Sequence, residues 1–179
     1  MKALKLAIAL TVTVVAFAQD SGRPPVPLIS GEDVKYWNSV EKRARQTQPE
    51  SNSTISPTGP TPVPGIPALK MSKTAGPALE IVMPKLDLVS SPFELFIRFV
   101  PNTSEPDPKS IQVIAKKWIL EKFRGDRDIS DSVRPYVTVE GIHVPKAEIP
   151  PGRYQIAFRI TDISGRVSEG EVVLEITRK

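Results

Sequence analysis

The chain contains no cysteine, and this absence excludes disulfide bonds, thiol catalysis and thiolate metal sites together. Histidine is almost absent too, since His143 is the only one. One imidazole without cysteine cannot build the usual multi-histidine zinc site, and no serine has an evident base and orienting acid. The sequence therefore predicts no catalytic, cofactor-binding or metal-binding residues, and indicates a protein that is not an enzyme.

An excess of charge of one sign is also lacking. The formal net charge of the 179 residues is +4, and Lys2 and Lys5 contribute to it. Residues 76–179 carry 15 basic and 15 acidic side chains. Because proteins that bind nucleic acids usually present a strongly basic surface, this balance excludes a nucleic acid as the expected partner.

Long apolar runs are missing except near the N-terminus. Lys2 and Lys5 precede an apolar run over residues 6–15, and Ala16-Phe17-Ala18 follows as a small-x-small pattern. This order is typical of a secretory signal peptide over residues 1–18, with Gln19 as the first mature residue. The run is shorter than the roughly 20 residues that cross a bilayer. We therefore expect an exported protein, periplasmic or extracellular, without stable membrane insertion after cleavage.

Proline dominates the next segment. Residues 19–75 hold nine of the nineteen prolines, interspersed with serine, threonine and glycine. Proline disfavours both helix and sheet, and such a segment has little apolar surface to bury. The composition predicts an extended linker, with a folded domain beginning at residue 76.

One short helix is predicted inside this linker, near residues 31–46. Ser30 and Asp33 have the spacing of a helix N-terminal cap. One helical face carries the apolar residues Val34, Trp37 and Val40. An isolated helix of this length is marginal in water, so it must find a surface to pack on. That surface is either a groove on another protein, with these three residues as anchors, or the chain's own domain.

Residues 76–179 show short runs of alternating apolar residues separated by turn signals, which predict a half-buried antiparallel sheet. Six or seven such strands in about 100 residues favour an all-β sandwich. Alternation is clearest in the terminal hairpin, on either side of Asp162-Ile163-Ser164-Gly165-Arg166. Residues 122–131 are charged and are predicted to form a loop. The predicted core comprises Phe93, Leu95, Ile97, Phe99, Tyr154, Ile156, Phe158, Ile160, Val172, Leu174 and Ile176.

The stretch Ile149-Pro150-Pro151-Gly152-Arg153-Tyr154, followed by Thr161-Asp162 and Gly165, resembles the end of immunoglobulin-like and fibronectin-type domains of exported bacterial proteins. The resemblance covers residues 76–179 and implies an immunoglobulin-like antiparallel β-sandwich. It also implies that Tyr154 donates a hydrogen bond back to the backbone. It also implies that the domain serves in adhesion or scaffolding, as many such domains do, and it implies no catalytic activity.

Three short patterns are candidate sites. Arg124-Gly125-Asp126 spells an adhesion tripeptide within the predicted loop, or a chance tripeptide in a charged turn. The asparagines of Asn52-Ser53-Thr54 and Asn102-Thr103-Ser104 are acceptors for N-glycosylation where that machinery exists. Loop carboxylates can bind calcium, although Arg124 and Arg127 offset their charge and the spacing lacks the terminal glutamate of a calcium loop. These carboxylates are Asp126, Asp128, Asp131 and Asp162.

The sequence therefore predicts a non-enzymatic exported binding or scaffolding module whose partner is another envelope or extracellular protein. Two alternatives stay open: attachment to cell-wall polysaccharide, and a hydrolase with an unrecognised carboxylate site. Exposed aromatic side chains in a row would favour the polysaccharide, and a concave pocket with convergent carboxylates would favour the hydrolase.

Overall fold

A computed structural model describes residues 24–47, 69–85 and 87–178 and shows a mostly β protein. The predicted signal peptide, the sequon at Asn52 and residues 19–23 and 48–68 of the predicted linker lie outside the described residues. The strands are β1 (Val26–Pro27), β2 (Lys70–Thr74), β3 (Ala78–Met83), β4 (Leu88–Ser91), β5 (Phe93–Val100), β6 (Pro106–Ile119), β7 (Lys122–Asp128), β8 (Gly141–Glu148), β9 (Gly152–Asp162) and β10 (Val167–Arg178). The helices are α1 (Gly31–Thr47), α2 (Ser130–Val133) and a 3₁₀ turn (Arg134–Tyr136).

The strands form two sheets that share one hydrophobic core, as in a β-sandwich. The small sheet has the order β1-β8-β5-β3. The large sheet has the order β2-β10-β9-β6-β7, and β4 runs parallel to the last residues of β10. The all-β class predicted from the sequence is therefore confirmed. Among the described residues, neither α-helix is long and apolar enough to cross a membrane.

The core forms where the alternation predicted it. Every predicted core residue is buried except Phe93, which is half-buried against the others. The long central strands β9 and β10 are antiparallel over ten residue pairs, so the alternate side chains of both strands share the inner face.

The N-terminal segment packs on the sandwich. Val26 of β1 pairs with Ala147 of β8 in parallel, and Leu28 donates its N–H to the carbonyl of Glu148 at 3.1 Å. Leu28 and Ile29 are both buried in the common core. Strand β2 also precedes the predicted domain start at residue 76. The packed structure therefore includes residues 24–47 and 69–75, which the composition had placed in the linker.

Strand β7 corrects the loop predicted over residues 122–131. Its residues pair with β6, from Ile119 opposite Lys122 to Ile114 opposite Asp128. The charged composition of β7 suits an edge strand, because charges at a sheet edge discourage pairing with other chains. The chain continues from β7 into the short helix α2.

The turn between β9 and β10 is organised by the buried carboxylate of Asp162. Its Oδ1 accepts the N–H groups of Ser164 and Arg166 at 2.9 Å, and its Oδ2 accepts the Nε–H of Arg166 at 2.8 Å. Burial by itself raises the pKa of Asp162. The hydrogen bonds from Ser104, Arg166 and Ser164 outweigh burial and lower the pKa from 3.8 to about 2.

We predict that Asp162→Asn removes part of the acid sensitivity of the protein. Because the folded-state pKa lies below the ordinary value, the carboxylate contributes its full stability above about pH 4 and loses it as the pH falls towards about 2. Urea titrations of both proteins should show the largest stability difference near neutral pH and a smaller one towards about pH 2. An equal difference at every pH would contradict this role for Asp162.

Candidate interaction surfaces

Helix α1 begins at a reciprocal cap formed by Ser30 and Asp33. The N–H of Asp33 donates to the Ser30 hydroxyl at 3.2 Å, and the N–H of Ser30 donates to the Asp33 carboxylate at 2.9 Å. The carboxylate also accepts the Nε–H of Arg127 in β7 at 2.5 Å. Burial raises the pKa of Asp33, but the hydrogen bonds from Ser30 and Arg127 together lower it. The helix start is thus joined to the edge of the large sheet through a charged pair.

Trp37 attaches the middle of the helix to the same strand. Its side chain is 1% exposed, and its Nε1–H donates to the carbonyl of Gly125 at 2.5 Å. The indole also lies against Tyr154 of β9, with 5.6 Å between ring centroids. Gly125 has a φ of +70°, and a Cβ there would lie 2.6 Å from the Trp37 ring. Glycine is therefore required at this position by both the backbone and the indole.

The predicted anchors of a partner-binding helix face the chain's own core. Trp37 is buried, and Val34 and Val40 are half-buried against the core cluster. The structure thus shows the second of the two surfaces that the sequence left open, the chain's own sandwich. A partner would reach Trp37 after detachment of α1, and binding through these three residues stays a prediction.

The adhesion tripeptide lies in strand β7, which corrects its placement in an exposed loop. The Nε atom of Arg124 is buried, and the carbonyl of Gly125 accepts the Trp37 hydrogen bond. Asp126 is exposed and lies 3.4 Å from Lys116 Nζ. A loop motif must present its arginine and its aspartate together to a receptor, and this strand does not.

The remaining candidate residues lie at separate places in the fold. Among the described residues, no three His, Asp or Glu side chains lie together as a metal site would need. His143 is a surface residue of β8, with Nε2 2.9 Å from Glu94 Oε1 and its ring 5.1 Å from that of Phe96. Asn102 is exposed in the bend after β5. Each candidate calcium ligand has its own partner: Asp126 has Lys116, Asp128 has Ser130, Asp131 has Arg134, and Asp162 has Arg166.

An aromatic surface that the sequence analysis missed lies at the end of the β6–β7 hairpin. Trp118 and Phe123 lie opposite each other in the register, with ring centroids 4.8 Å apart and an edge-to-face angle of 74°. The guanidinium of Arg153 in β9 lies 4.9 Å from the centre of the Trp118 ring. Trp118 remains 37% exposed. We call Trp118, Phe123 and Arg153 the hairpin-tip patch.

The turn beside this patch has an unfavourable backbone conformation. Leu120 and Glu121 form the two-residue connection, with φ values of +48° and +64°. Asparagine and glycine are the usual residues in such turns. A left-handed conformation costs other L-residues roughly 1–2 kcal/mol each. Backbone strain of this kind often accompanies functional sites, and this supports the hairpin-tip patch as a candidate interaction surface.

Behind the patch, on the inner face, lies a second row of polar residues. Arg124 of β7, Lys117 of β6 and Tyr154 of β9 are opposite one another in the register. We call these three residues the inner basic row. Burial raises the pKa of Tyr154 to about 12. Its hydroxyl has no hydrogen-bond partner among the described residues, so the backbone hydrogen bond implied by the resemblance is wrong.

Neither alternative function finds its expected geometry at these sites. A flat sugar-binding platform needs open aromatic faces, whereas Arg153 covers one face of Trp118 and Phe123 meets that ring at 74°. Glu105 and Glu140 line an open groove of about 500 Å³, but both are exposed. Catalytic acids are usually set apart by burial or by a close charged neighbour.

Comparison with known proteins adds little. No protein-family model matches the chain, and no curated protein matches its sequence. Among solved structures, the chain is similar to the crystal structure of the PmoD soluble domain from Methylocystis sp. strain Rockwell. The identity is 11%, the match covers 51% of this chain and 78% of that one, and the TM-score is 0.28. A TM-score this low carries no argument about function.

Proposed function

We propose that the mature chain is a non-enzymatic, exported binding or scaffolding module of immunoglobulin-like architecture. Its partner is another protein of the envelope or the extracellular space, bound through the hairpin-tip patch. The exposed Trp118, supported by Phe123 and Arg153 on three neighbouring strands, is the observation that carries this proposal.

The strand order supports the immunoglobulin-like assignment. In that fold, strands A, B and E are neighbours in one sheet, and C, F and G are neighbours in the other. Here β3, β5 and β8 lie side by side in the small sheet, while β6, β9 and β10 lie side by side in the large sheet. The two sets have the chain order that the fold requires. Strand β7 then extends the large sheet beyond β6, at the edge covered by α1.

The composition of the patch supports protein binding. Tryptophan and arginine are enriched among the residues that dominate binding energy at protein interfaces. The patch residues belong to paired strands, so binding would order few side chains and no loop. The guanidinium of the exposed Arg153 lies over the Trp118 ring, which provides an apolar surface and hydrogen-bond donors at one place.

Export has its support in the N-terminal sequence. The two lysines, the apolar run and the small-x-small site follow one another in the order of a secretory signal. These residues are the reason for proposing an envelope or extracellular partner. Detection of the unprocessed chain in the cytoplasm of its native cell would contradict this part of the proposal.

We predict that Trp118→Ala weakens partner binding at least about tenfold, because truncating a central interface tryptophan commonly costs 2 kcal/mol or more. The measurement is quantitative capture from native envelope extract by immobilised mature protein. Ile163→Ala is the matched control, because Ile163 is an exposed apolar residue at the opposite end of β9. The control should retain the partner that Trp118→Ala loses.

Equal capture by both variants would remove the patch from the proposed function. The same immobilised proteins can be incubated with purified, protein-free cell-wall polysaccharide. Saturable retention of polysaccharide that is lost in Trp118→Ala would replace the protein partner by the polysaccharide. Release of soluble fragments from it would show that the chain is a hydrolase.

A further inference from the structure

The inner basic row presents three donors to one region of the sandwich interior. In antiparallel sheets, side chains of directly opposed residues lie on the same face with Cβ atoms about 5 Å apart. Lys117 is opposite both Arg124 and Tyr154, and Tyr154 is opposite the buried Leu174. All three residues therefore lie on the inner face, in one row across β7, β6 and β9.

Within the described part of the chain, two of these three donors are buried without acceptors. The Nε of Arg124 and the hydroxyl of Tyr154 are buried without hydrogen-bond partners among the described residues. By contrast, Arg127 and Arg166 each pair with a buried carboxylate, Asp33 and Asp162. Buried donors without acceptors are rare in folded proteins and call for a specific explanation.

Two members of the row come close together beside the backbone of Gly152. A Cβ on Gly152 would lie 3.3 Å from Cε of Lys117 and 3.5 Å from the hydroxyl of Tyr154. Both side chains therefore approach the same point next to the backbone of β9. Lys117 and Arg124 are only half-buried, so this end of the row is accessible from solvent.

We propose that Arg124, Lys117 and Tyr154 bind a small oxyanion, a phosphate or carboxylate group. The guanidinium and the ammonium supply positive charge, and the phenol supplies a neutral O–H donor. Such charge-assisted hydrogen bonds to an oxyanion are roughly twice as strong as those between neutral groups. Burial raises the pKa of Tyr154 to about 12, so the phenol is protonated at neutral pH, as an ordinary tyrosine also is. This site lies on the opposite face of the sheet from Trp118 and does not depend on the proposed partner.

The test is calorimetric titration of the mature protein with inorganic phosphate, and separately with acetate, at constant ionic strength. Tyr154→Phe removes the hydroxyl and retains the ring, and Lys117→Met removes the charge and retains most of the side-chain length. Each substitution should weaken binding of the preferred anion about tenfold, the loss expected for one charge-assisted hydrogen bond. Arg153→Met is the matched control, because it removes a positive charge from the outer face beside Tyr154. It should leave the affinity unchanged.

The anion that binds more tightly identifies the ligand class. The absence of saturable binding of either anion at roughly millimolar concentrations would overturn the proposal. Equal weakening by Arg153→Met would also overturn it, because the effect would then be general electrostatics. If Lys117→Met does not fold, Tyr154→Phe decides, with urea titration as a second measurement. The preferred anion should raise the urea midpoint of the wild-type protein more than that of Tyr154→Phe, and equal shifts would contradict the site.

Discussion

Replacement of Phe158 by alanine is expected to lower the free energy of unfolding by about 3–5 kcal/mol, the usual cost of truncating a buried phenylalanine. Phe158 is 2% exposed in the middle of β9. It lies opposite Val113 of β6 and Gly170 of β10, where neighbouring strands flank it on both sides. The rigid sheet limits how far these neighbours can close the cavity. A loss of this size is a large part of the stability of a typical small domain.

Urea titration followed by far-UV circular dichroism measures this loss. Arg159→Ala is the matched control on the same strand, since the Arg159 side chain is 52% exposed on the outer face. Surface substitutions usually change stability by less than about 0.5 kcal/mol. A loss below about 1 kcal/mol for Phe158→Ala would contradict its place in the core.

The strands of this core were predictable because they alternate strictly. Side chains of a strand point to opposite faces in turn, so the apolar phase of β5, β9 and β10 identified their buried face. The cap residues likewise placed the start of α1 at Gly31, where the structure has it. Local sequence was sufficient in each case. The alternation of apolar residues identified the buried face of each strand, and the cap residues identified the start of the helix.

Edge strands were not predictable in the same way. Strand β7 has five charged residues out of seven and pairs only with β6, so it shows no alternation of apolar residues that would have predicted it. Strand β4 is four residues long and β1 only two. Their existence depends on partners far away in the sequence, such as β10 for β4 and β8 for β1. A single-sequence pattern does not contain that information.

The hairpin-tip patch and the inner basic row also differ in whether the sequence alone could have predicted them. Trp118 is out of phase with the inward-facing Val113 and Ala115, so the alternation of β6 already placed it on the outer face. That signal could have identified the patch. The inner basic row could not have been identified, because it depends on the register between β7, β6 and β9. The buried tryptophan of the core also comes from outside the predicted domain, in α1.

The second large effect is expected for Trp37→Ala, which should cost about 3–5 kcal/mol and release α1 from the sandwich. The substitution removes the buried indole, its hydrogen bond to Gly125 and its ring contact with Tyr154. The Asp33–Arg127 pair would remain, but one ion pair at the start of the helix would not replace the buried apolar contacts of the indole. A detached helix of 17 residues is marginal in water and should unfold.

Hydrogen exchange of the α1 amides and urea titration together test this prediction. Trp118→Ala is the matched control, because the chain has two tryptophans and Trp118 is on the surface. Deleting residues 30–46 should reduce stability at least as much as Trp37→Ala, because the contacts of Trp37 and Asp33 disappear together. If α1 served an external partner alone, the deleted protein would unfold at nearly the same urea concentration as the intact one and would lose that partner. An unchanged urea midpoint of the deleted protein would therefore support Val34, Trp37 and Val40 as anchors for an external partner. A large loss of stability would assign them to the core of this domain.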